Sequence, residues 1–215
     1  MPRKINFSQA DLSAIKTKLL GWSQQFDHVV WLDSNAYPEH QHTYEAILAV
    51  DANEILSLDK DFALADLKAY RERNKNWLFG YLGYRANSKK LEDASKNLLN
   101  FPSIYFFQPK KVFLLQKDSL EIHYLNPEEI EQDWETIQAV ELKEEHIDFA
   151  NFEISPRIDK PTYIAKVNQI QDYIKQGELE EINFCQEFYS HNKLENPLAF
   201  YKQLNQVSQA PLASY

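Results

Sequence analysis

The chain has 215 residues, 44% hydrophobic and 26% charged, the profile of a soluble globular protein rather than a disordered or fibrous one. Its net charge of -9, from 23 basic and 32 acidic side chains without a dense Lys/Arg block, repels a phosphate backbone and makes nucleic acid an unexpected partner. The single cysteine excludes an intrachain disulfide framework, and the 4 glycines form neither GxGxxG nor GxxxxGK[ST], which excludes Rossmann-type and P-loop sites.

In chain order, "MPRKINFSQADL" holds no apolar run long enough for a signal peptide or membrane span, which reads as a cytoplasmic protein. Ser8 is a candidate cap, with Asp11 three positions on, for a helix whose apolar stripe is Leu12, Ile15, Leu19, Trp22 and Phe26. "HVVWL" from His28 to Leu32 predicts a strand that runs into the turn-rich "DSNAYPEHQH". "TYEAILAV" and "NEILSL" read as two strands joined by a hairpin turn at "DAN". Phe62, Leu64, Leu67 and Tyr70 recur at helical spacing, and "NWLFGYLGY" from Asn76 to Tyr84 reads as a strand with close backbone approach. Beyond a polar loop at "NSKKLEDASKN", the segments "SIYFF", "KVFLLQ" and "LEIHYL" read as three short strands, and "PEEIEQDWETIQAV" as a helix opened by Pro127.

After the charged "ELKEEHID", Asp159 and Pro161 open a helix striped by Tyr163, Val167, Ile170 and Ile174 and closed at Gly177. "GELEEINFCQEF" then alternates like a strand, with Ile182, Phe184, Gln186 and Phe188 on one face and Glu181, Asn183, Cys185 and Glu187 on the other. A carboxylate on a buried polar face would cost several kcal/mol, so that face needs water, a partner or a ligand. The plain alternative is an edge strand whose acids face solvent. "NPLAFYKQLNQV" predicts a last helix with Phe200, Leu204 and Val207 on one side, and "PLASY" the start of a further strand, as in an opening portion of a longer domain. Helices and strands lack the regular rhythm of a parallel sheet, so the fold class is antiparallel α+β. His40 and His42, between Glu39 and Glu45, have a spacing that could hold a metal, but two histidines in a polar loop fall short of three or four converging ligands.

"IQDYIKQGELEEINFCQEF" resembles the stretch of chorismate-utilising enzymes in which a helix ends in Gly and a GDxYQxN segment follows, with Gly177, Glu178, Glu181 and Asn183 at the matching positions. "WLDSN", "WLFGYLGY" and "VSQAPLASY" resemble, in order, further segments of the aminodeoxychorismate synthase component I branch and its anthranilate synthase relatives, Asn183 and Gln186 leaning to the former. The resemblance implies orthogonally packed antiparallel β-sheets flanked by helices, here truncated, with residues 1–150 as the N-terminal α+β region and 151–215 as the start of the chorismate-binding region. It implies chorismate as substrate, a glutamine amidotransferase partner supplying ammonia, and Mg2+ held by glutamates that have no match in these residues, so that the chain alone is expected to be inactive. Glu181 stands where water-adding isochorismate and salicylate synthases carry Lys. It is the candidate catalytic carboxylate at the edge of the active site, or a solvated acid. Asn183 is a neighbour of the substrate site that touches substrate or pins a loop. Ser34 and Pro211 match residues of the regulatory tryptophan pocket, although "SQAPLAS" keeps only that proline of the companion motif. Cys185 reads as a small buried filler rather than a nucleophile.

Overall fold

The computed structural model describes residues 2–38, 43–58, 64–83, 100–142, 147 and 152–215. They divide into two compact units, one of residues 1–144 with 201–215 and one of residues 145–200. The sheets among the described residues are antiparallel and the chain is α+β, as the pattern of elements predicts.

The first unit is built on a long ribbon. Here β3 (Ala46–Leu58) runs against β5 (Ile104–Leu115), in register from Ala46 opposite Leu115 to Leu58 opposite Ile104. Both strands are rich in branched and aromatic residues, which pack well on a pleated surface. At one end β5 also takes β6 (Ser119–Tyr124), which pairs with β1 (Arg3–Asn6); at the other it takes β4 (Phe79–Leu82). On the far side β3 takes β2 (Val29–Asp33), which pairs with β9 (Ala213–Ser214).

The hairpin predicted at "DAN" does not form, and "SIYFF" and "KVFLLQ" are one strand rather than two. The two turn signals lie opposite each other. Between Ala52 and Glu54 the register shifts by an extra residue in β3, across from Pro109, which has no N–H to give to a ladder. Asp51 takes a φ of 62°, and the irregularity is fastened across the strands by Asn53 Nδ2 on Gln108 Oε1 (2.8 Å) and Lys110 Nζ on Asp51 Oδ1 (3.0 Å). A bulge bends both strands where either sequence alone suggests a break.

Helix α1 (Leu12–Ser23) follows a short 3-10 turn, and its Ile15, Leu19, Leu20 and Trp22 are buried. Ser8 does not cap a backbone N–H as expected; its hydroxyl bonds the Asp11 carboxylate at 2.8 Å. α2 (Leu64–Arg73) and α3 (Ile130–Ala139) fall where the spacing places them, α3 after a 3-10 turn opened by Pro127. The sheet face carrying Trp31, Leu48, Phe113, Leu115 and Leu120 is fully buried, with Trp22 of α1 packed edge-on against Phe113 at 5.5 Å. The opposite face carries Ala49, Phe79, Phe107, Val112 and Leu114 as a second cluster.

Lys111 sits among the aromatic residues of the α1 and α3 side, with its side chain only 8% exposed. Its Nζ meets Asp133 at 2.6 Å and Glu129 at 2.8 Å, and lies 5.1 Å from the Tyr124 ring, 5.7 Å from Phe26 and 5.9 Å from Trp22. Burial by itself would lower the Lys111 pKa, but the bonds and charges of Asp133 and Glu129 outweigh it and hold it above the usual lysine range. Glu129 is held below the ordinary glutamate range by its bond to Lys111, then by Asn126.

In the second unit, β7 (Ser155–Pro156) pairs with β8 (Phe188–Tyr189), and α4 (Lys160–Lys175) starts as predicted: Asp159 accepts from the Thr162 N–H at 2.7 Å and Pro161 lies in the first turn. Gly177, at φ 76°, follows the helix end as expected. α5 (Pro197–Ser208) begins in this unit and ends in the first. Its predicted stripe is not core: Leu204 and Val207 are 54% and 87% exposed, while Leu198 and Ala199 are buried. The polar loop "NSKKLEDASKN" and most of "ELKEEHID" lie outside the described residues.

Replacing Lys111 with Ala leaves two carboxylates facing aromatic rings and is expected to lower the unfolding free energy by about 3 kcal/mol in urea titration. The raised folded pKa of Lys111 keeps its contribution complete at neutral pH, to be lost only as pH rises through that value. The lowered pKa of Glu129 makes its contribution present above the ordinary glutamate range and lost as pH falls through the folded value. The stability gap between wild type and Glu129→Gln therefore closes on acidification. Two glycine substitutions should diverge. A Cβ on Gly80 would lie 1.9 Å from the Tyr105 carbonyl oxygen, so Gly80→Ala should cost at least about 2 kcal/mol in the same titration. Gly177→Ala meets nothing within 4 Å and should cost only the backbone strain, about 1 kcal/mol.

Candidate functional site

The end of β2 and the segment entering β9 border a cleft of about 500 Å³ in the first unit. Leu32 and Ile47, opposite each other on β2 and β3, and Tyr44 line one part; Pro211 to Ser214 line another. Both residues proposed from the sequence for a small-molecule pocket, Ser34 and Pro211, line it. They meet because β9 adds to the edge of β2, with Leu32 opposite Ser214, and because Trp31 and Tyr215 exchange backbone hydrogen bonds of 2.7 and 2.9 Å. Behind this pairing Asn35 and Asn205 bond each other through both amides at 2.8 Å, and Asn35 also donates to the Ala210 carbonyl.

The polar wall of the cleft is a buried network. Lys16 Nζ lies 2.7 Å from Asp33 Oδ1 and 3.3 Å from the Glu45 carbonyl oxygen. The Ser34 hydroxyl lies within hydrogen-bond reach of that same carbonyl (3.1 Å) and of Glu45 Oε2 (3.3 Å), and the Asn35 N–H donates to Asp33 at 2.8 Å. Ser34 and Asp33 are each 9% exposed and Glu45 4%. Burial, reinforced by the Asp33 charge, pushes the Tyr201 hydroxyl up to about 12, so it stays neutral at physiological pH. The wall thus offers hydroxyl groups and the Lys16-paired Asp33 carboxylate beside apolar and aromatic surface, chemistry suited to a ligand with a polar, hydrogen-bonding head and an apolar body.

Glu181 and Asn183 belong to the second unit. Both are exposed, and neither side chain has a hydrogen-bond partner among the described residues. The strand predicted over 181–188 forms only at Phe188 and Tyr189, because its one ladder is the two-residue pairing with Ser155 and Pro156. Alternation persists in weakened form: Phe184 and Gln186 are half-buried, while Asn183, Cys185 and Glu187 are exposed. Ile182 and Phe188, predicted on the core face, are 50% and 65% exposed. Cys185 is exposed rather than a buried filler. Phe184 stacks on Tyr163 of α4 at 5.2 Å. The Gln186 amide closes on both backbone groups of Ile158, donating to its carbonyl and accepting from its N–H. Arg157 forks onto both Glu187 oxygens at 3.1 Å and lies 3.9 Å over the Tyr189 ring. Glu181 and Asn183 therefore lie between the end of α4 and a segment anchored at Phe184, Gln186 and Glu187.

Among the described residues no three His, Cys, Asp or Glu side chains converge as a divalent cation requires. They do not fit an Mg2+ site. Glu39, His40 and His42 lie outside the described residues, and Glu45 serves the Ser34 network. No helix of the described residues is long and apolar enough to cross a membrane.

A model of the chorismate binding enzyme family matches residues 20–215. The chain belongs to that family, and an enzyme acting on chorismate is the class it defines. No curated protein sequence matches the chain.

The residues that sequence reading passed over are Lys16 and Asp33. Lys16 sits beside Ile15, off the apolar stripe of α1, and only the contact at Asp33, 17 positions away, gives it a role. Lys16→Met strips the countercharge from a carboxylate that is 9% exposed, and is expected to lower the unfolding free energy by about 3 kcal/mol in urea titration. Asp33→Asn in the Lys16→Met background should recover part of that loss.

Proposed function

We propose that the chain is part of component I of an aminodeoxychorismate synthase, a cytoplasmic enzyme that aminates chorismate to 4-amino-4-deoxychorismate with ammonia from a glutamine amidotransferase partner. The observation that carries this reading is the match to chorismate-binding enzymes over residues 20–215. The narrower choice rests on Asn183 and Gln186, which resemble that branch, and on a carboxylate at Glu181 where water-adding relatives carry lysine. In the net reaction a C–N bond forms to ammonia as a C–O bond breaks, and the hydroxyl leaves as water. A lysine at this place can serve as a base that activates water; a carboxylate accepts hydrogen bonds from ammonia or from the substrate hydroxyl, the role given to Glu181. Asn183, two residues on, is given the place of a neighbour of the same substrate site. The reading carries with it the two-sheet architecture of those enzymes and a requirement for Mg2+, held by residues other than those described. These 215 residues by themselves are accordingly proposed to be inactive.

Product analysis decides between this reading and anthranilate synthesis. An enzyme containing this chain, given chorismate, ammonium and Mg2+, should consume chorismate without releasing pyruvate, whereas pyruvate formed in step with chorismate loss would assign the anthranilate reaction. In that enzyme Glu181→Gln should lower kcat about 100-fold with a smaller change in KM. Turnover by the 215-residue chain alone would refute its inactivity.

A second reading, a non-catalytic binding module for a tryptophan-like ligand, is favoured by the placement of Ser34 and Pro211 on one cleft with Asp33 in its wall. Calorimetry with L-tryptophan should show micromolar binding that is lost in Ser34→Leu if that cleft takes an aromatic amino acid, and no heat if it does not.

A further inference from the structure

A second cleft in the first unit, of about 660 Å³, lies between the C-terminal end of α2 and strands β5 and β6. Its floor is apolar, with Leu78, Pro109 and Val112, and Trp77 stands at its side with 40% of its surface exposed. Arg71, Lys75, Lys110 and His123 line it, and among the described residues no acidic side chain does. This segregation stands out in a chain of net charge -9. Lys110 is paired with Asp51 at 3.0 Å and His123 with Glu121 at 2.8 Å. Arg71 and Lys75 have no ion-pair partner among the described residues; Arg71 lies in the last turn of α2 and Lys75 two residues past its end.

The parts are held in place before any ligand arrives. The Trp77 ring stacks on Phe79, a member of the buried cluster, with centroids 6.0 Å apart and planes 22° from parallel. The end of α2 is fixed to the ribbon by Tyr70, whose hydroxyl donates to the Glu54 carbonyl at 2.7 Å and accepts from the Gln108 N–H at 3.1 Å. Asn74 and Arg73 add bonds of 3.0 Å to the Glu54 carboxylate. These contacts fix the end of α2, from which Arg71 and, just past the helix, Lys75 line the cleft while Arg73 is engaged elsewhere. A preformed aromatic plate beside two uncommitted cations, over an apolar floor, is complementary to a flat ring with a negative group at its edge.

We propose that this cleft binds a small planar ring bearing an anionic group, the chemistry shared by aryl carboxylates and nucleoside monophosphates, with the ring on Trp77 and the anion at Arg71 and Lys75. The proposal is independent of chorismate chemistry. Its competitor is a purely structural role in which the two cations complement the carbonyl end of α2.

The test is titration calorimetry of the 215-residue chain with 4-hydroxybenzoate and, separately, with adenosine 5′-monophosphate, at low and high salt. At least one probe should bind with a Kd below about 1 mM, more weakly as salt rises. Binding by the benzoate alone assigns the carboxylate source, and binding by the nucleotide alone the phosphate source. The double variant Arg71→Glu/Lys75→Glu and the single variant Trp77→Ala should each weaken binding about tenfold or more, with Lys117→Glu, on an exposed turn outside the cleft, unchanged. Trp77→Tyr, which keeps an aromatic plate, should retain binding even if the charge-reversed protein fails to fold. No heat from either probe up to about 10 mM would overturn the proposal. So would charge-reversed and Trp77→Ala proteins that bind like wild type while the former melts earlier, the signature of the structural role.

Discussion

The ammonium of Lys111 is the contact on which the first unit turns. It projects from the central strand β5 into a setting of two carboxylates on the α3 side and three aromatic rings, Trp22 and Phe26 at the end of α1 and Tyr124 on β6. A buried charge is tolerable only when it is fully partnered, and here the partners come from the elements that cover this face of the sheet. The same helix α1 carries Lys16 nearer its start, where it holds Asp33 and the Glu45 carbonyl beside Ser34. Shifting α1 would move Lys16 and the Trp22 ring together, so the wall of the Ser34 cleft is linked through the helix to the aromatic surroundings of Lys111.

Much of this architecture was legible. Apolar spacing located α1, α2, α3 and α4, and the Asp159, Pro161 and Gly177 signals marked the limits of α4, because capping and backbone preferences act over three or four residues. What was not legible is how far a strand runs. "DAN" and the break between "SIYFF" and "KVFLLQ" each read as a stop in its own segment; only their pairing across more than fifty residues converts two stops into one bulge. The α5 stripe fails for a related reason. Periodicity shows which residues share a face and leaves open whether anything covers it.

For the site the division is similar. Ser34 and Pro211 came from matching motifs far apart in sequence, and the pairing of β9 with β2 is what brings them to one cleft. The alternation over 181–188 was sound as a pattern and survives in the exposures of residues 183–187, yet a period of two does not supply a ladder partner, so most of that stretch is not strand. Lys16 was invisible because charge on a helix flank is the ordinary case for a solvated surface. The family follows from the match over residues 20–215, not from any one of these residues.

The pairing of β3 with β5 has a kinetic consequence. Its nearest partners, Leu58 and Ile104, are separated by more than forty positions, so the spine of the sheet forms only after a wide chain loop has been closed. Local pieces such as α1, the β2–β3 pair and the β5–β6 hairpin can organise on their own, but the entropy of that closure must be met before β3 packs against β5. Folding should therefore be slow for a unit of this size. Because closure entropy grows only logarithmically, lengthening the connection between Leu58 and Ile104 would retard assembly far less than weakening the β3 register that ends it.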